Sequence, residues 1–405
     1  KTGSQKVLFK IAISLISLDS MSNKSTLLIF QKIIEQESKT STYKFALLRA
    51  VIDLISAQSP HIEDRDTHVA IPVLLISDKW LFYYWDLIEH KYAQIHSERD
   101  LVFKEKLLEL QTKHQLQNYW DFNREFQKVI YTSTLKPDLL SLVKVLNDTI
   151  IKNPVKYIGT SMGEGYNALF QVESGRTTRN ANGYLDLLKC SPKILMNKTH
   201  FEGLRIYGGL LSGTNSIIMN WVDFMHKQKM RAAHKANKNE RVVSELEVDY
   251  AKPTPLSILL KSSEVCRETQ AIRNFWSEKI KSGTPVLCTW SGSQIKSEKE
   301  LAIDHAIPFS VLFNNDYWNL VPAKNTVNSS KSDKILSKNQ LFASKKRIFE
   351  IWATYQNIPE LATIFSSQCQ ISLVKAAEIT LDNLFEKFVQ INEGFVELRG
   401  MESWG

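Results

Sequence analysis

Asp304 and His305 close a short apolar run, Leu301-Ala302-Ile303, and the residues that follow constrain how that end is built. The run reads as a strand, so two polar side chains fall where a buried strand meets a loop. Phe309 to Tyr317 contains Asn314-Asn315-Asp316, a turn-rich composition that suits a hairpin connection. Trp318 to Val321 reads as the returning strand, closed by Pro322, which cannot donate to a ladder. From Lys324 the pattern turns helical: Asn328, Lys331, Ser332 and Ile335 stand at i, i+3, i+4 and i+7 and share one face. That face can look back at the hairpin.

Packed in this way, the amide oxygen of Asn328 comes close to the carboxylate of Asp304. Two hard oxygens with room for water and phosphate oxygens make the pattern that Mg²⁺ prefers, with Mn²⁺ as a substitute. Hydrolysis of a phosphodiester needs a nucleophile made from water, stabilisation of charge on phosphorus and help for the departing oxygen. His305, with an ordinary pKa of about 6.5, can take the proton from water at neutral pH. A metal held by Asp304 and Asn328 would polarise the phosphate, and Lys331 offers a further cation. Each residue also has a plainer reading. An Asp-His pair in a strand is more often an ordinary hydrogen-bonded pair, Trp318 is expected in the core, and Lys331, Lys334 and Lys338 are as readily a solvated helix face as phosphate ligands.

Three anchors occur in order: Asp304-His305 followed by Ile307-Pro308, then Trp318-Asn319-Leu320-Val321-Pro322, then Asn328 within NSSKSDK. Asn319 lies fourteen residues after His305 and Asn328 nine after that. With these anchors the segment resembles the HNH (ββα-metal) endonuclease family, in the zinc-free form found in RNA-guided CRISPR effector nucleases. The resemblance covers about a tenth of the chain and extends loosely to Pro285 to Gly292, PVLCTWSG, as in bacterial HNH proteins of restriction and phage-defence loci. It implies a metal-dependent nuclease with His305 as base. Asn319, grouped with His305 and Lys331 in the catalytic set, is implied to be structural, its amide bonding backbone to keep the histidine loop in place. Many members carry a zinc knuckle of two Cys-x-x-Cys pairs. Here Cys288 is followed three residues later by Ser291, and Cys190, Cys266 and Cys369 have no ligand spacing to it. No structural zinc is expected, and Trp290 with its apolar neighbours is expected to supply the packing. The scattered cysteines fit a reducing cytoplasm.

A chain of 405 residues is too long for such a module alone. The expected class is α+β, in four parts: a helical domain at 1–153, a mixed α/β region at 154–255, the HNH module at 256–356 and a C-terminal helical segment at 357–405. Helical periodicity marks Thr42 to Ser56, Asp100 to Leu116, Tyr119 to Ile130, Pro137 to Ile151, Asn215 to Met230, Leu256 to Lys281, Ser344 to Gln356 and Ala376 to Glu393. Lys156 to Thr160, Ala168 to Val172 and Leu204 to Tyr207 are expected strands, punctuated by Gly163, Gly165, Gly175, Gly208 and Gly209. The aromatic cluster Trp80, Phe82, Tyr83, Tyr84 and Trp85 is expected as helix-helix core. The run GTSMGEG, Gly159 to Gly165, lacks the residues of a phosphate loop.

The formal charge of +8 is consistent with a polyanionic partner. A basic tract of Lys227, Lys229, Arg231, Lys235, Lys238 and Arg241 can track a phosphate backbone or serve as a wet linker. Lys10 and Lys79 interrupt the longest apolar runs, so no membrane span is expected. Lys1 to Gln5 reads as an expression remnant or a truncated start, and Ile11 to Leu18 lacks a signal cleavage pattern, which leaves a cytoplasmic location as the expectation. Two function classes follow: an active endonuclease, with double-stranded DNA ahead of RNA as substrate, and an inactive nucleic-acid-binding or assembly subunit. In either, the N-terminal region can dock protein partners of a defence complex.

Overall fold

The computed structural model describes residues 21–96, 99–160, 169–212, 217–236, 253–260 and 269–405. Lys1 to Gln5, Ile11 to Leu18, Gly163, Gly165, Ala168, Lys238, Arg241, Cys266 and the Lys235 side chain lie outside the described residues.

Two helices apolar on nearly every side occupy the centre of the N-terminal part, α2 (Tyr43–Ser56) and α3 (Val73–Glu89). A helix without a polar face must be enclosed. The enclosing layer is α1 (Met21–Gln36), α4 (Lys104–His114), α5 (Tyr119–Phe126), α6 (Lys136–Ile150), α7 (Tyr184–Cys190), α8 (Lys198–Ser212), α9 (Ile217–Ala236) and α10 (Pro255–Leu260). The aromatic cluster on α3 is core: Trp80, Phe82, Tyr83, Tyr84 and Trp85 are all buried. Local chemistry sets several ends. Asn118 caps α5 by accepting from the backbone N–H groups of Trp120 and Asp121, and α6 runs into a wide turn, Ile151–Val155, that contains Pro154.

Four short strands form an antiparallel sheet in the order β1 (Glu63–Asp64), β2 (His68–Pro72), β4 (Lys193–Asn197), β3 (Phe170–Glu173). Arg65 ties opposite edges by pairing with both Glu63 and Glu173. Residues from both sides of position 153 contribute to this sheet and to one core that runs from Leu27 to Leu259 and takes in Ile371.

Two expected strands are absent. Lys156 and Tyr157 continue as helix, and Leu204 to Tyr207 lie inside α8. The short apolar run there is one face of a helix packed on α1 and α2. Gly208 punctuates nothing: a Cβ at this position would stand 2.9 Å from Ile52 Cγ2, so the missing side chain allows close approach to α2.

A second core, from Ile272 to Phe395, is built by α11 (Gln270–Lys281) and by the helices after the hairpin. Two antiparallel pairs enter it: β5 (Val286–Leu287) with β6 (Gln294–Ile295), and β7 (Leu301–His305) with β8 (Leu320–Lys324). Between β7 and β8 comes α12 (Phe309–Leu312), and after them α13 (Asn325–Lys331), β9 (Ile335–Leu336), α14 (Lys338–Asn357), α15 (Pro359–Ser372), α16 (Leu381–Arg399) and β10 (Ser403–Trp404). The class is α+β. No described helix is long and apolar enough to cross a membrane.

Candidate active site

The hairpin register sets the site. Asp304 faces Val321 and His305 faces Leu320 across the pair, so both candidate side chains sit at the last two rungs of β7. The returning strand begins at Leu320, after a 3₁₀ turn at Tyr317–Asn319, and runs past Pro322 to Lys324. The expectation of a strand closed by Pro322 is corrected: a two-stranded pair has an open edge, where a residue without an N–H is tolerated. The Pro322 carbonyl accepts from the Thr289 backbone N–H and hydroxyl.

The connection is more ordered than a turn-rich loop. α12 ends at Phe313, whose φ of 50° is left-handed, and Asn314-Asn315-Asp316 follow. Asn319 is fully buried and spans the connection: its Oδ1 accepts from Ile307 N at 2.7 Å and its Nδ2 donates to Ile307 O at 2.9 Å. One amide therefore satisfies both backbone groups of a residue two positions after His305.

Asp304 and His305 are each 5% exposed. Asp304 Oδ2 accepts from Trp290 Nε1 at 2.7 Å, and Oδ1 lies 3.2 Å from Lys331 Nζ. The Lys331 ammonium is buried and also donates to the His305 carbonyl at 2.8 Å. His305 Nε2 lies 3.0 Å from Asn315 Oδ1, and its ring meets Phe309 edge to face. Asn328 is half-buried on α13, one turn before Lys331. α13 packs on both β7 and β8.

The helix does not extend as its spacing implies. It stops at Lys331, where Ser332 takes a φ of 50°, and Ile335 belongs to β9, paired in parallel with Ser403. Asn328 and Lys331 therefore share a helix face, while Ser332 and Ile335 do not. Lys334 and Lys338 lie beyond that helix, paired with Glu402 and Glu393. Lys227, Lys229 and Arg231 are exposed on α9, with the Arg231 guanidinium against the His96 ring.

The chain makes a tight turn from Cys288 to Ser293, closed by two backbone hydrogen bonds and a Gly292 with φ of 70°. Trp290 is buried in that turn, and Arg347 and Gln340 bond the Thr289 and Trp290 carbonyls. The donors at the site fit a hard divalent cation: a carboxylate, an amide and no thiolate. A carboxylate offers about four acceptor directions, and Trp290 and Lys331 each meet one of its oxygens. Among the described residues no three His, Cys, Asp or Glu side chains form a metal-ligating group.

Sequence reasoning read Asn315 and Asp316 only as turn residues and gave Trp290 only packing. Asp316 is buried, with Oδ2 accepting from Ser372 Oγ at 2.6 Å and Trp318 Nε1 at 2.8 Å. Burial pushes its carboxyl from 3.8 up to about 6, against the opposing effect of those donors. Between these two values the folded chain holds the proton and the unfolded chain releases it. Stability therefore falls as pH rises through the window, by about 3 kcal/mol from this group. Urea unfolding at pH 4.5 and 6.5 should show a drop that is smaller in Asp316→Asn; equal drops in both proteins would contradict the assignment.

Residues 23–246 match the family described as a domain of unknown function (DUF8808). Residues 288–336, which include every residue of the site just described from Trp290 to Lys331, match the HNH endonuclease family. No curated protein and no solved structure matches the chain. The first match spans more than half of the 405 residues, so the chain belongs to the DUF8808 domain family, and it carries an HNH endonuclease family domain on its C-terminal side.

Proposed function

We propose that this protein is a metal-dependent endonuclease that hydrolyses phosphodiester bonds in DNA, with the reaction centred on His305 and Asp304. The observation that carries the reading is the adjacency of these two side chains at the end of β7, with Asn328 and Lys331 on the helix packed against that strand. An amide oxygen only accepts, so the contact with Asn315 Oδ1 supports a ring proton on Nε2 of His305. In this reading the neutral imidazole takes a proton from water. Asp304 and Asn328 would hold Mg²⁺, which when bound polarises the phosphate and stabilises the leaving oxygen. Lys331 balances the Asp304 charge, and Asn319 keeps the histidine loop closed. Bacterial anti-phage defence is the setting we propose, on the resemblance to defence HNH proteins.

The purified chain should nick or cut supercoiled plasmid or linear duplex with Mg²⁺ or Mn²⁺ and stop with EDTA. Cleavage that survives EDTA would remove the metal from the reaction, and cleavage of structured RNA alone would replace the substrate. No cleavage of any of the three would leave the inactive binding subunit as the reading.

Substrate affinity should come largely from outside the site, because its own ammonium groups are paired with acids. Each duplex phosphate engaged weakens binding by about 0.9 log unit per log unit of salt. Charge reversal of Lys227, Lys229 and Arg231 together should weaken binding and flatten that slope by about 0.9 for each phosphate no longer engaged. An unchanged slope by fluorescence anisotropy would make the α9 tract a solvated face.

A further inference from the structure

The connection between β7 and β8 is held from outside the hairpin at Phe309, Phe313, Asp316 and Tyr317. Phe309 meets Trp120 of α5 with ring centroids 5.8 Å apart, and Phe313 meets Phe82 of α3 at 5.8 Å. The Tyr317 backbone N–H donates to Gln368 Oε1 at 2.7 Å, and Ser372 Oγ donates to Asp316. Inside the loop, Asn314 Nδ2 donates to Asp316 Oδ2 at 3.2 Å. A cavity of about 100 Å³ runs along this seam, lined by Asp78, Lys79 and Tyr119 from one side and by Asn314, Asp316 and Ser372 from the other.

Phe313 adopts a left-handed φ without being glycine. Such a conformation persists only where surrounding packing over-determines it, and here the packing comes from Phe82 and Phe309. Two residues later stands Asn315, whose oxygen faces His305 Nε2. The side chain that touches the imidazole is therefore carried by a loop whose backbone is set by aromatic rings of the N-terminal helices.

Resting on the nuclease reading above, we propose that Asn315 is the positioning residue of the site: it fixes the Nε2–H tautomer and ring orientation of His305, and the N-terminal helices hold it there through Phe82 and Trp120. A general base works only when its lone pair points at the water it deprotonates. Releasing the amide lets the ring turn and exchange tautomers. Docking of the DUF8808 region against the loop is then a condition for a competent His305, which links the two family matches in one chain.

The test uses the full chain with ¹⁵N-labelled histidine, the His305 ring signals being assigned by their loss in His305→Gln. The parent should show neutral His305 as a single Nε2–H tautomer. Asn315→Ala should show mixed tautomers and cleave about 10-fold or more slowly, with substrate binding unchanged. Asn315→Asp keeps an acceptor at the same place, so it should retain the Nε2–H tautomer that Asn315→Ala loses. Trp120→Leu, at a half-buried position, should shift the same His305 signals while circular dichroism stays as in the parent. An unchanged His305 spectrum in Asn315→Ala would overturn the positioning role, and an unchanged spectrum in Trp120→Leu would overturn the part of the N-terminal helices. Because the spectra need no turnover, a parent that shows the tautomer and its loss in Asn315→Ala but cuts no nucleic acid would fail the nuclease reading alone.

Discussion

His305→Ala should lower the cleavage rate by ~10² or more, the scale on which a positioned general base acts, while leaving nucleic-acid affinity close to that of the parent. As the proposed base the imidazole acts on the water rather than on the phosphate backbone, so rate and binding should separate. The ring is nearly enclosed and packs against Phe309, so its removal also leaves a small cavity. Thermal unfolding of His305→Ala and of the bulkier His305→Gln separates that packing loss from chemistry: both should be slow, and His305→Gln should unfold closer to the parent. Single-turnover cleavage at equal bound fraction is the measurement, and equal rates for parent and variant would remove His305 from the mechanism.

Lys331→Met should be among the most destabilising single changes in this part of the chain. The side chain keeps its length and apolar stem while the ammonium beside Asp304 disappears, and both partners of that ion pair are nearly inaccessible, at 1% and 6% side-chain exposure. Breaking one side of a buried pair leaves an uncompensated charge and costs about 3–5 kcal/mol. The His305 carbonyl loses a donor as well. A divalent cation at Asp304 would supply the missing positive charge, so Mg²⁺ should raise the Tm of Lys331→Met by more than that of the parent, through the ordinary linkage of binding to folding. A parent-like Tm in EDTA would show that the pair contributes little. A Tm of the variant that ignores Mg²⁺ would argue against a cation at this carboxylate.

The α+β class, the HNH family and the core placement of the α3 aromatics were legible in the chain itself, because each rests on local pattern. Alternation and short apolar runs mark strands, 3.6-residue spacing marks helices, and the intervals from His305 to Asn319 and Asn328 need no tertiary knowledge. Tertiary structure decided what lies around those residues. The α13 helix ends at Lys331 because Ile335 is drawn into pairing with Ser403, a partner far along the chain that no local spacing announces. Leu204 to Tyr207 became helix because a face of α8 had α1 and α2 to cover, and a short apolar run fits either period until its neighbour is known. Lys331, read from its spacing as a cation for phosphate, is enclosed with Asp304. Asn315 reached His305 only once the loop was folded against Phe82, Trp120, Gln368 and Ser372, and Trp290 reached Asp304 through the separate turn from Cys288 to Ser293. The sequence by itself determined which residue types stand at which intervals in the candidate site, since type and interval are local properties. Only the tertiary structure decided their partners, burial and charge balance, because those depend on contacts between residues that are distant in the chain.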